Sequence, residues 1–528
     1  MNLYLGLDSS TQSLSAIVIA VGPDDERHVV FEHTLNFDAE YPEYGTQNGV
    51  LPHDDPTVQN SSPLLWVAAL DRMMGIIAKE SDLDLASLRA IAGSGQQHGS
   101  VYLKSGVWEA LRGLDPQKDL VAQLGDVFSR RNSPIWMDAS TTAQCEAIRA
   151  AVGGDSVLAE LTGSGAFERF TGPQIRKFYE TEPDAYASTH TIHLVSSFMA
   201  SLLAGESAPI DPGDGAGMNL MDLGKKRWAL AALKATAPGL EAKLPPVAES
   251  CSLVGKLSPY WAQRYGLSSD IDVAMWSGDN PCSLIGVGLV KPGRIAISLG
   301  TSDTLFGFLP EPVVDTEGRG HVFGAPTGDY MSLICFSNGS LAREQIRDAA
   351  GYDWQGFEAA LNSTPVGNNG AMLLPWFAPE ITPRVEQPGV HRFDLTADDH
   401  PANVRAVIEA QMIATTLHSE WMGVEVDTIY ATGGASRNRG ILQVMADVHN
   451  ARVYQLETGN SAALGAALRA YHAHFVANGQ PMEWDDVTRG FVTLLAGSEI
   501  SPVRAHVDVY REMKNLYAQR EAHARHSE

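Results

Sequence analysis

Cysteine is scarce in this sequence, and basic residues are outnumbered by acidic ones. The four cysteines among 528 residues lie far apart and form no CxxC pair, which argues against a zinc site or a disulfide framework and is compatible with a reducing compartment. Lys and Arg total 38 against 63 Asp and Glu, a formal charge of −25. Nucleic acid and anionic membranes are repelled by such a surface, so neither is expected as a partner.

Several familiar segments and motifs are also missing. The longest apolar stretch, around 191–205, is too short and too polar to span a bilayer. No basic segment precedes the first strand-like run, so we expect no signal peptide and a cytoplasmic protein. No G-x-x-x-x-G-K-[ST] occurs, which excludes a P-loop protein, and GSGQQHG at 93–99 does not fit the G-x-G-x-x-G of dehydrogenases.

What is present is a repeated plan. Apolar strand-like runs alternate with amphipathic helical patterns, which predicts an α/β fold. Residues 3–20 read as two strands around the turn DSSTQS, and residues 294–309 repeat this plan about 290 residues later. The repeat predicts a duplicated domain, with one copy at 1–290 and the other at 291–528. KPG at 291–293 marks the boundary between them.

The two turns are candidate phosphate loops. A Ser/Thr-rich turn is commonly structural, since its hydroxyls hydrogen-bond their own backbone. A pair of related turns, one in each half, is better suited to pointing N–H groups and hydroxyls at a phosphate. Asp8 ends the first apolar strand, where a carboxylate is costly unless it has a task such as holding a hydrated Mg²⁺.

Other polar groups suit a hydroxyl-bearing ligand. DPGDGAGMNL at 211–220 is either a surface turn or a mobile loop whose Asp accepts a proton from a hydroxyl. Asp279 and Asn280 follow a buried-looking strand, where open α/β sheets bind ligands. His98 is a further candidate, and its alternative role is structural. Trp136 and Asp138 are candidates for an aromatic wall beside a hydrogen-bond acceptor. The glycine shelf ATGGASRN at 431–438 is the last candidate, and its alternative role is a plain helix start.

Taken together, these stretches resemble the FGGY carbohydrate kinases, in particular the eukaryotic-type branch that phosphorylates D-xylulose. The likeness extends from about residue 3 to about residue 475. The matching stretches are SGQQHGS, PIWMDASTTAQC, LTGSGAFERFTGPQI, DPGDGAGMNL, GDNPCSL, SLGTSDTLFGF, FSNGSLAREQIR and ATGGASRNRGILQVMADV.

The resemblance implies two duplicated ribonuclease-H-like domains of the actin/Hsp70/hexokinase ATPase type that flank a cleft. It also implies ATP and Mg²⁺ as cofactors, the sugar and ATP as the small-molecule partners, and a monomer or homodimer. The catalytic base is then Asp214, and the sugar ligands are His98, Arg169, Asp279 and Asn280. The implied phosphate and metal groups are Asp8 for Mg²⁺, with Ser9, Ser10, Thr11 and Gln12 as the first loop and Gly300, Thr301, Ser302 and Asp303 as the second. The nucleotide is expected against Trp354, Gly433, Gly434 and Asn438.

Three positions depart from the family pattern or compete with it. Ser10 stands where the first loop usually carries glycine, two residues after the aspartate. Asp303 adds an acid beside the expected phosphates, which requires Mg²⁺ or a basic residue to offset it, or a carboxylate that points away. Asp211 is a rival to Asp214 as the base, and Asp214 is preferred by its family position.

The expected activity is transfer of the γ-phosphoryl group of MgATP to the 5-hydroxyl of D-xylulose. Within the family, ribulose, glycerol or gluconate are alternative acceptors. A non-catalytic sugar-sensing or filament-forming protein with an ATPase core is the alternative from another class, and the presence of Asp214 argues against it.

Overall fold

The computed structural model describes residues 1–23, 25–457 and 459–526, and these residues form two compact units. The first unit contains 1–290, 322–331 and 460–492, and the second contains 291–321, 332–459 and 493–528. The predicted division after residue 290 coincides with a change of unit. The segments 322–331 and 460–492, which the sequence analysis placed in the second domain, pack with the first.

Strands are numbered in chain order. They are β1 Asn2–Ser9, β2 Ser13–Val21, β3 Arg27–Asn36, β4 Asn60–Ser61, β5 Leu88–Gly95, β6 Ser100–Lys104, β7 Ser133–Pro134, β8 Thr189–Leu194, β9 Met221–Asp222, β10 Arg227–Trp228, β11 Leu253–Lys256, β12 Asp272–Ala274, β13 Ser277–Gly278, β14 Arg294–Leu299, β15 Asp303–Leu309, β16 His321–Gly324, β17 Tyr330–Phe336, β18 Met372–Trp376, β19 Gly389–Phe393, β20 Thr428–Thr432 and β21 Arg452–Gln455.

Helices are numbered in the same way. They are α1 Phe37–Glu40, α2 Pro63–Lys79, α3 Val107–Arg112, α4 Leu120–Leu124, α5 Thr142–Val152, α6 Asp155–Thr162, α7 Thr171–Thr181, α8 Pro183–Ser188, α9 Val195–Ala204, α10 Pro212–Ala216, α11 Leu230–Thr236, α12 Pro259–Tyr265, α13 Asp279–Gly286, α14 Ser340–Ala349, α15 Trp354–Ser363, α16 His400–Leu417, α17 Arg439–His449, α18 Ser461–Ala477, α19 Trp484–Thr488 and α20 Arg504–His526. Short 3₁₀ turns lie at Pro42–Tyr44, Leu85–Ser87, Leu240–Lys243, Asn368–Gly370, Glu420–Met422 and Gly434–Arg437.

The sheet of the first unit runs in the order β11-β12-β5-β1-β2-β3, with β13 beside β5. Strand β1 is antiparallel to β2 and parallel to β5, and it is buried on both faces, as a central strand flanked by helices must be. Its side chains alternate: Leu3, Leu5 and Leu7 join the core beneath α2 and α9. Tyr4 joins the core beneath α18 on the other face.

The second unit repeats this order. Its strands run β17-β15-β14-β20-β21, as β3-β2-β1-β5-β12 do in the first unit. Strand β14 is antiparallel to β15 and parallel to β20, which is parallel to β21. Each unit therefore begins with a hairpin followed by parallel strands, and the predicted duplicated α/β fold is confirmed.

Helix α18 completes the first unit through contacts that leave no room for side chains. A Cβ on Gly465 of α18 would lie 1.8 Å from the carbonyl oxygen of Cys282 in α13, and one on Gly286 would lie 1.9 Å from that of Ser461. A Cβ on Gly6 of β1 would lie 2.2 Å from the carbonyl oxygen of Ala463. Glycine at these positions lets α18 lie directly on α13 and β1.

Within the described residues, no helix combines the length and apolarity needed to cross a membrane. Cys145, Cys251, Cys282 and Cys335 are all free thiols.

The contact between α18 and α13 predicts a packing defect in Gly465→Ala. The added methyl group meets backbone that cannot move aside, so we expect a loss of about 1–3 kcal/mol in the free energy of unfolding despite the better helix propensity of alanine. Denaturant unfolding measures this loss. Gly224→Ala is the matched control, because the nearest atom to its Cβ would be the Asp222 Oδ1 at 3.9 Å. Equal midpoints for the two variants would contradict the close packing.

Candidate active site

Asp8 lies at the carboxyl end of the central strand β1 in the first unit. The Ser94 hydroxyl, on the neighbouring strand β5, donates to Asp8 Oδ1 at 2.5 Å. Burial raises the pKa of Asp8 to about 7, with a smaller contribution from the negative charge of Asp279. The carboxylate is thus held in an environment where a cation is needed to keep it charged.

The first loop, residues 10–12 between β1 and β2, is closed by Ser10. The Ser10 amide donates to the carbonyl of Ser13 at 3.0 Å, and its hydroxyl contacts the same carbonyl at 3.0 Å. Ser10 is not among the residues with positive φ, so the loop has no conformational need for the glycine that is usual in the family. Thr11 accepts a hydrogen bond from the Trp136 indole N–H at 2.8 Å.

Asp279 and Asn280 open helix α13, directly after β13. Asp279 is half-buried, and burial raises its pKa to about 6 although the main-chain N–H groups of Asn280 and Gln97 stabilise the carboxylate. The Asn280 side-chain amide donates to Gln97 Oε1 at 2.8 Å and to Asp279 Oδ1 at 3.1 Å. Gln97, from the β5–β6 loop, in turn donates to the carbonyl of Gly213 at 3.1 Å.

The two acids of DPGDGAGMNL have different surroundings, although both are 1% exposed. Asp211 caps helix α10 by accepting from the Gly213 N–H at 2.7 Å, and it also accepts from Ser277 at 2.5 Å and from Arg469 of α18 at 3.2 Å. Asp214 Oδ2 accepts from the Ser196 hydroxyl, while its Oδ1 is buried and has no hydrogen-bond partner among the described residues. Burial raises the pKa of Asp214 well above its ordinary value.

His98 adopts a left-handed backbone with φ +71°, a conformation that a non-glycine residue holds only when its surroundings enforce it. Its ring stacks on Phe170 at 4.3 Å between centroids. Burial lowers the pKa of His98 to about 3, helped by the charge of Arg169. The neutral ring donates from Nδ1 to the carbonyl of Gly217 at 2.7 Å, which leaves the Nε2 lone pair as an acceptor. Arg169 itself lies over the Phe167 ring at 5.4 Å.

Trp136 and Asp138 do not form the expected pair of wall and acceptor. Trp136 is 43% exposed and reaches Thr11, as described above. Asp138 is buried, and protein donors occupy both carboxylate oxygens: the Gln59 amide at 2.9 Å, the Ser140 amide at 3.0 Å and the Gln174 side chain at 2.8 Å. Asp138 therefore joins segments of the first unit.

The second loop, Gly300–Ser302 between β14 and β15, lies in the second unit. Thr301 and Ser302 are exposed, and Asp303 is buried. Both Asp303 oxygens are taken by the guanidinium of Arg343 in α14, at 2.8 and 2.9 Å. Arg343 also donates to the carbonyl of Gly300 at 3.2 Å. Arg343 thus offsets the charge of Asp303, and together the two residues anchor the second loop.

The glycine shelf follows β20 in the same unit. Gly433 has φ +82°, and a Cβ there would lie 2.5 Å from the carbonyl oxygen of Leu299. Gly434 faces open space. Asn438 caps α17 by accepting from the Ile441 N–H at 3.0 Å. Trp354 is 45% exposed, with the Arg347 guanidinium 4.5 Å from its ring.

The predicted sugar and metal groups and the first loop lie in the first unit, and the second loop, Trp354 and the glycine shelf lie in the second. Sequence reasoning missed the partners that hold them. These partners are Ser94, Gln97, Ser196, Arg343 and Arg469. Ser94 and Gln97 lie inside SGQQHGS and Arg343 lies inside FSNGSLAREQIR, so these three carry a local signal, whereas Ser196 and Arg469 lie outside the matching stretches.

No group of three or more His, Cys, Asp or Glu side chains within the described ranges forms a metal site. Asp8 nevertheless suits Mg²⁺, because this ion takes one or two carboxylates and completes its octahedron with water and substrate phosphates. Burial raises the pKa of Asp8, and a bound cation would favour its charged form.

The chain is similar in sequence to known proteins. A model of the FGGY family of carbohydrate kinases, N-terminal domain, matches residues 131–286, and the C-terminal domain of that family matches 295–474. Xylulose kinase of Mus musculus is 46% identical over 496 residues, covering 92% of this chain and 88% of that protein. Xylulose kinase 2 of Arabidopsis thaliana is 44% identical over 495 residues, covering 89% and 87%.

Solved structures share the fold. Xylulose kinase from Rhodospirillum rubrum superposes with a TM-score of 0.81 at 20% identity, covering 99% of this chain and 98% of that one. The ligand-bound xylulose kinase from Lactobacillus acidophilus gives a TM-score of 0.81 at 18% identity, with 99% of each chain covered.

The buried pair of Asp303 and Arg343 predicts that Arg343→Met is strongly destabilising. The substitution leaves a desolvated carboxylate without its partner, so we expect a loss of about 3–5 kcal/mol in the free energy of unfolding. Urea unfolding of the second unit, followed by the fluorescence of its tryptophans, measures this loss.

Arg384→Met is the control, because Arg384 and its partner Glu386 have side chains 49% and 68% exposed and such pairs contribute about 0–1 kcal/mol. The double variant Asp303→Asn/Arg343→Met is expected to recover part of the loss. If Arg343→Met and Arg384→Met unfold alike, the pair does not hold the loop.

Proposed function

The chain belongs to the FGGY family of carbohydrate kinases, and we propose that it transfers the γ-phosphoryl group of ATP to the 5-hydroxyl of D-xylulose, giving D-xylulose 5-phosphate. Identities of 44–46% to xylulose kinases over about nine-tenths of the chain support this substrate. The enzyme is then a phosphotransferase with an alcohol group as acceptor.

The proposal rests on a cluster of hydrogen-bonding groups in the first unit, which comprises an amide, an imidazole and a carboxylate. Within the described residues, the Asn280 side-chain oxygen and His98 Nε2 accept no hydrogen bond, and Asp279 is a half-buried carboxylate. Such a cluster suits a small molecule with several hydroxyls, each of which donates to a fixed acceptor. Arg169 lies beside His98 and completes the predicted sugar set.

Two carboxylates compete for the role of proton acceptor. The sequence analysis preferred Asp214, but Asp214 is 1% exposed and its pKa is raised well above its ordinary value, which favours the neutral acid. Asp279 is half-buried, and its pKa of about 6 leaves it ionised at neutral pH and still basic enough to accept a proton. We therefore favour Asp279 as the base and keep Asp214 as the alternative.

On the nucleotide side we propose that the exposed backbone of Gly300, Thr301 and Ser302 receives phosphate oxygens, as do Ser9 to Gln12 of the first loop. Gly433 and Gly434 offer a surface without side chains for the base and ribose, beside Trp354 and Asn438. Asp8 would hold Mg²⁺, which supplies charge neutralisation of the phosphates during transfer. Positioning and charge neutralisation provide most of the rate, because phosphoryl transfer has a loose transition state.

We further propose a cytoplasmic location and a monomer or homodimer whose partners are the sugar and ATP alone. Four free thiols and an acidic net charge of −25 support a reducing compartment and argue against nucleic acid as a partner.

The choice of base predicts opposite outcomes for two isosteric variants. Asp279→Asn removes a carboxylate that is charged at neutral pH, so we expect kcat to fall about 10²–10⁴-fold. Asp214→Asn replaces a buried acid whose raised pKa favours the neutral form, so we expect kcat to fall less than about tenfold. Steady-state kinetics at pH 7.5 give both numbers, and sugar affinity by calorimetry shows whether binding survives.

The pH dependence has a matching sign. Because the pKa of Asp279 is raised, it loses its charge as pH falls through about 6, and kcat/KM for the sugar is expected to fall with it. If Asp214→Asn is the inactive variant and Asp279→Asn keeps the wild-type rate, the base is Asp214.

The substrate assignment predicts a ranking of acceptors. We expect kcat/KM for D-xylulose to exceed that for D-ribulose, glycerol and D-gluconate by about tenfold or more, because a hydroxyl that is missing or, as at C3 of D-ribulose, points the other way leaves buried groups unpaired. A coupled assay of ADP release measures the series, with Asp279→Asn as the background. A higher kcat/KM for another acceptor would overturn the choice of sugar, and ADP release without any sugar dependence would overturn the kinase.

A further inference from the structure

We propose that Gln97 is a positioning residue that sets the sugar specificity of this site, by fixing which end of the Asn280 amide faces the substrate. The inference rests on the proposed function, since it assumes that Asn280 contacts the sugar. It concerns a residue that itself need not touch the substrate.

A main-chain carbonyl determines which ends of the Gln97 and Asn280 amides donate and which accept, because a carbonyl cannot exchange donor for acceptor. The carbonyl of Gly213 is main chain and accepts only, so the end of the Gln97 side chain that faces it, at 3.1 Å, is the Nε2 donor. Gln97 Oε1 is thereby directed to Asn280, whose Nδ2 donates to it at 2.8 Å. One main-chain carbonyl thus orients two side-chain amides in sequence.

The second hydrogen of Asn280 Nδ2 is also used, since it is donated to Asp279 Oδ1 at 3.1 Å. Both donors of this amide are therefore paired inside the protein. Across the described residues, no donor reaches Asn280 Oδ1, and this oxygen is not enclosed. Asn280 consequently presents an acceptor, and only an acceptor, to a ligand.

Gln97 is confined so that it cannot exchange its two ends. Its side chain is buried, at 2% exposure. A Cβ on Gly278 would lie 3.1 Å from Gln97 Cδ, and one on Gly217 would lie 3.0 Å from Nε2. The glycines of GDNPCSL and DPGDGAGMNL therefore leave room for this amide. Gly213 is fixed in turn, because its N–H is donated to Asp211.

An acceptor held in a fixed orientation distinguishes sugars that have a hydroxyl at one position from sugars that lack it. A hydroxyl at that point can donate to Asn280 Oδ1, whereas a deoxygenated carbon leaves the oxygen unpaired, which costs about 10–100-fold in kcat/KM. If the Asn280 amide is free to rotate, the cost shrinks, because the amide can pair elsewhere when the hydroxyl is missing.

The test compares Gln97→Met with Gln96→Met. Gln96 is the matched control, because it is the neighbouring residue, it is 1% exposed, and within the described residues its amide has no hydrogen-bond partner. Each enzyme is assayed with D-xylulose and with its 1-deoxy, 3-deoxy and 4-deoxy analogues, and KM for ATP is measured in parallel.

We expect the wild type and Gln96→Met to lose about 10–100-fold in kcat/KM on one of the analogues. For Gln97→Met we expect that loss to narrow to less than about threefold, with KM for ATP unchanged. The inference is overturned if Gln97→Met keeps the full discrimination, or if it lowers kcat/KM for every sugar by one common factor, as a merely structural defect would.

Asn280→Ala covers the case in which Gln97→Met does not fold. It removes the amide that contacts the sugar, so the loss of kcat/KM on the same analogue relative to D-xylulose should disappear. An unchanged loss of kcat/KM on that analogue would overturn the inference. Failure of the proposed function gives a different result, since the wild type would then not phosphorylate D-xylulose at all.

Discussion

Carboxylates withdrawn from water, at the ends of strands β1 and β13 and in helix α10 with its cap, constrain the rest of the first unit. Asp8, Asp211, Asp214 and Asp279 are each desolvated to some degree, and burial raises the pKa of three of them. Buried charge must be met by donors or by an opposite charge. The surrounding polar residues are arranged accordingly: Ser94, Ser196 and Ser277 donate hydroxyls, and Arg469 supplies the one cation seen at Asp211 among the described residues.

Much of the fold could be predicted from the sequence because its signals are local. Two apolar hairpins with related turns show as β1–β2 and β14–β15, each with the same neighbours in its sheet. The residues of the site also showed locally, since they lie in short Gly-rich stretches at strand ends. Local pattern could not show the return of residues 460–492 to the first unit, because helix α18 is apolar on several sides and its partner is chosen by the close contact at Gly465 and Gly286.

Contacts between residues far apart in sequence could not be predicted from local pattern either. Asp303 and Arg343 are 40 residues apart, and their pairing depends on where α14 crosses the loop. Ser10 posed the opposite problem: the family pattern made it look irregular, yet its ordinary backbone conformation and its bond to Ser13 explain it. The preference for Asp214 over its neighbours rested on family position, and exposure, which a sequence does not display, is what now favours Asp279.

The late return of α18 bears on how the chain is made. During synthesis, strand β1 leaves the ribosome long before the helix that covers its Tyr4 face, which is formed by residues 461–477. Until those residues emerge, one apolar face of the first sheet lacks this cover, and the second unit's 332–459 segment is translated in the interval. The nascent chain therefore holds an open sheet face until α18 is translated, a stage at which chaperones that shield apolar strands have their target.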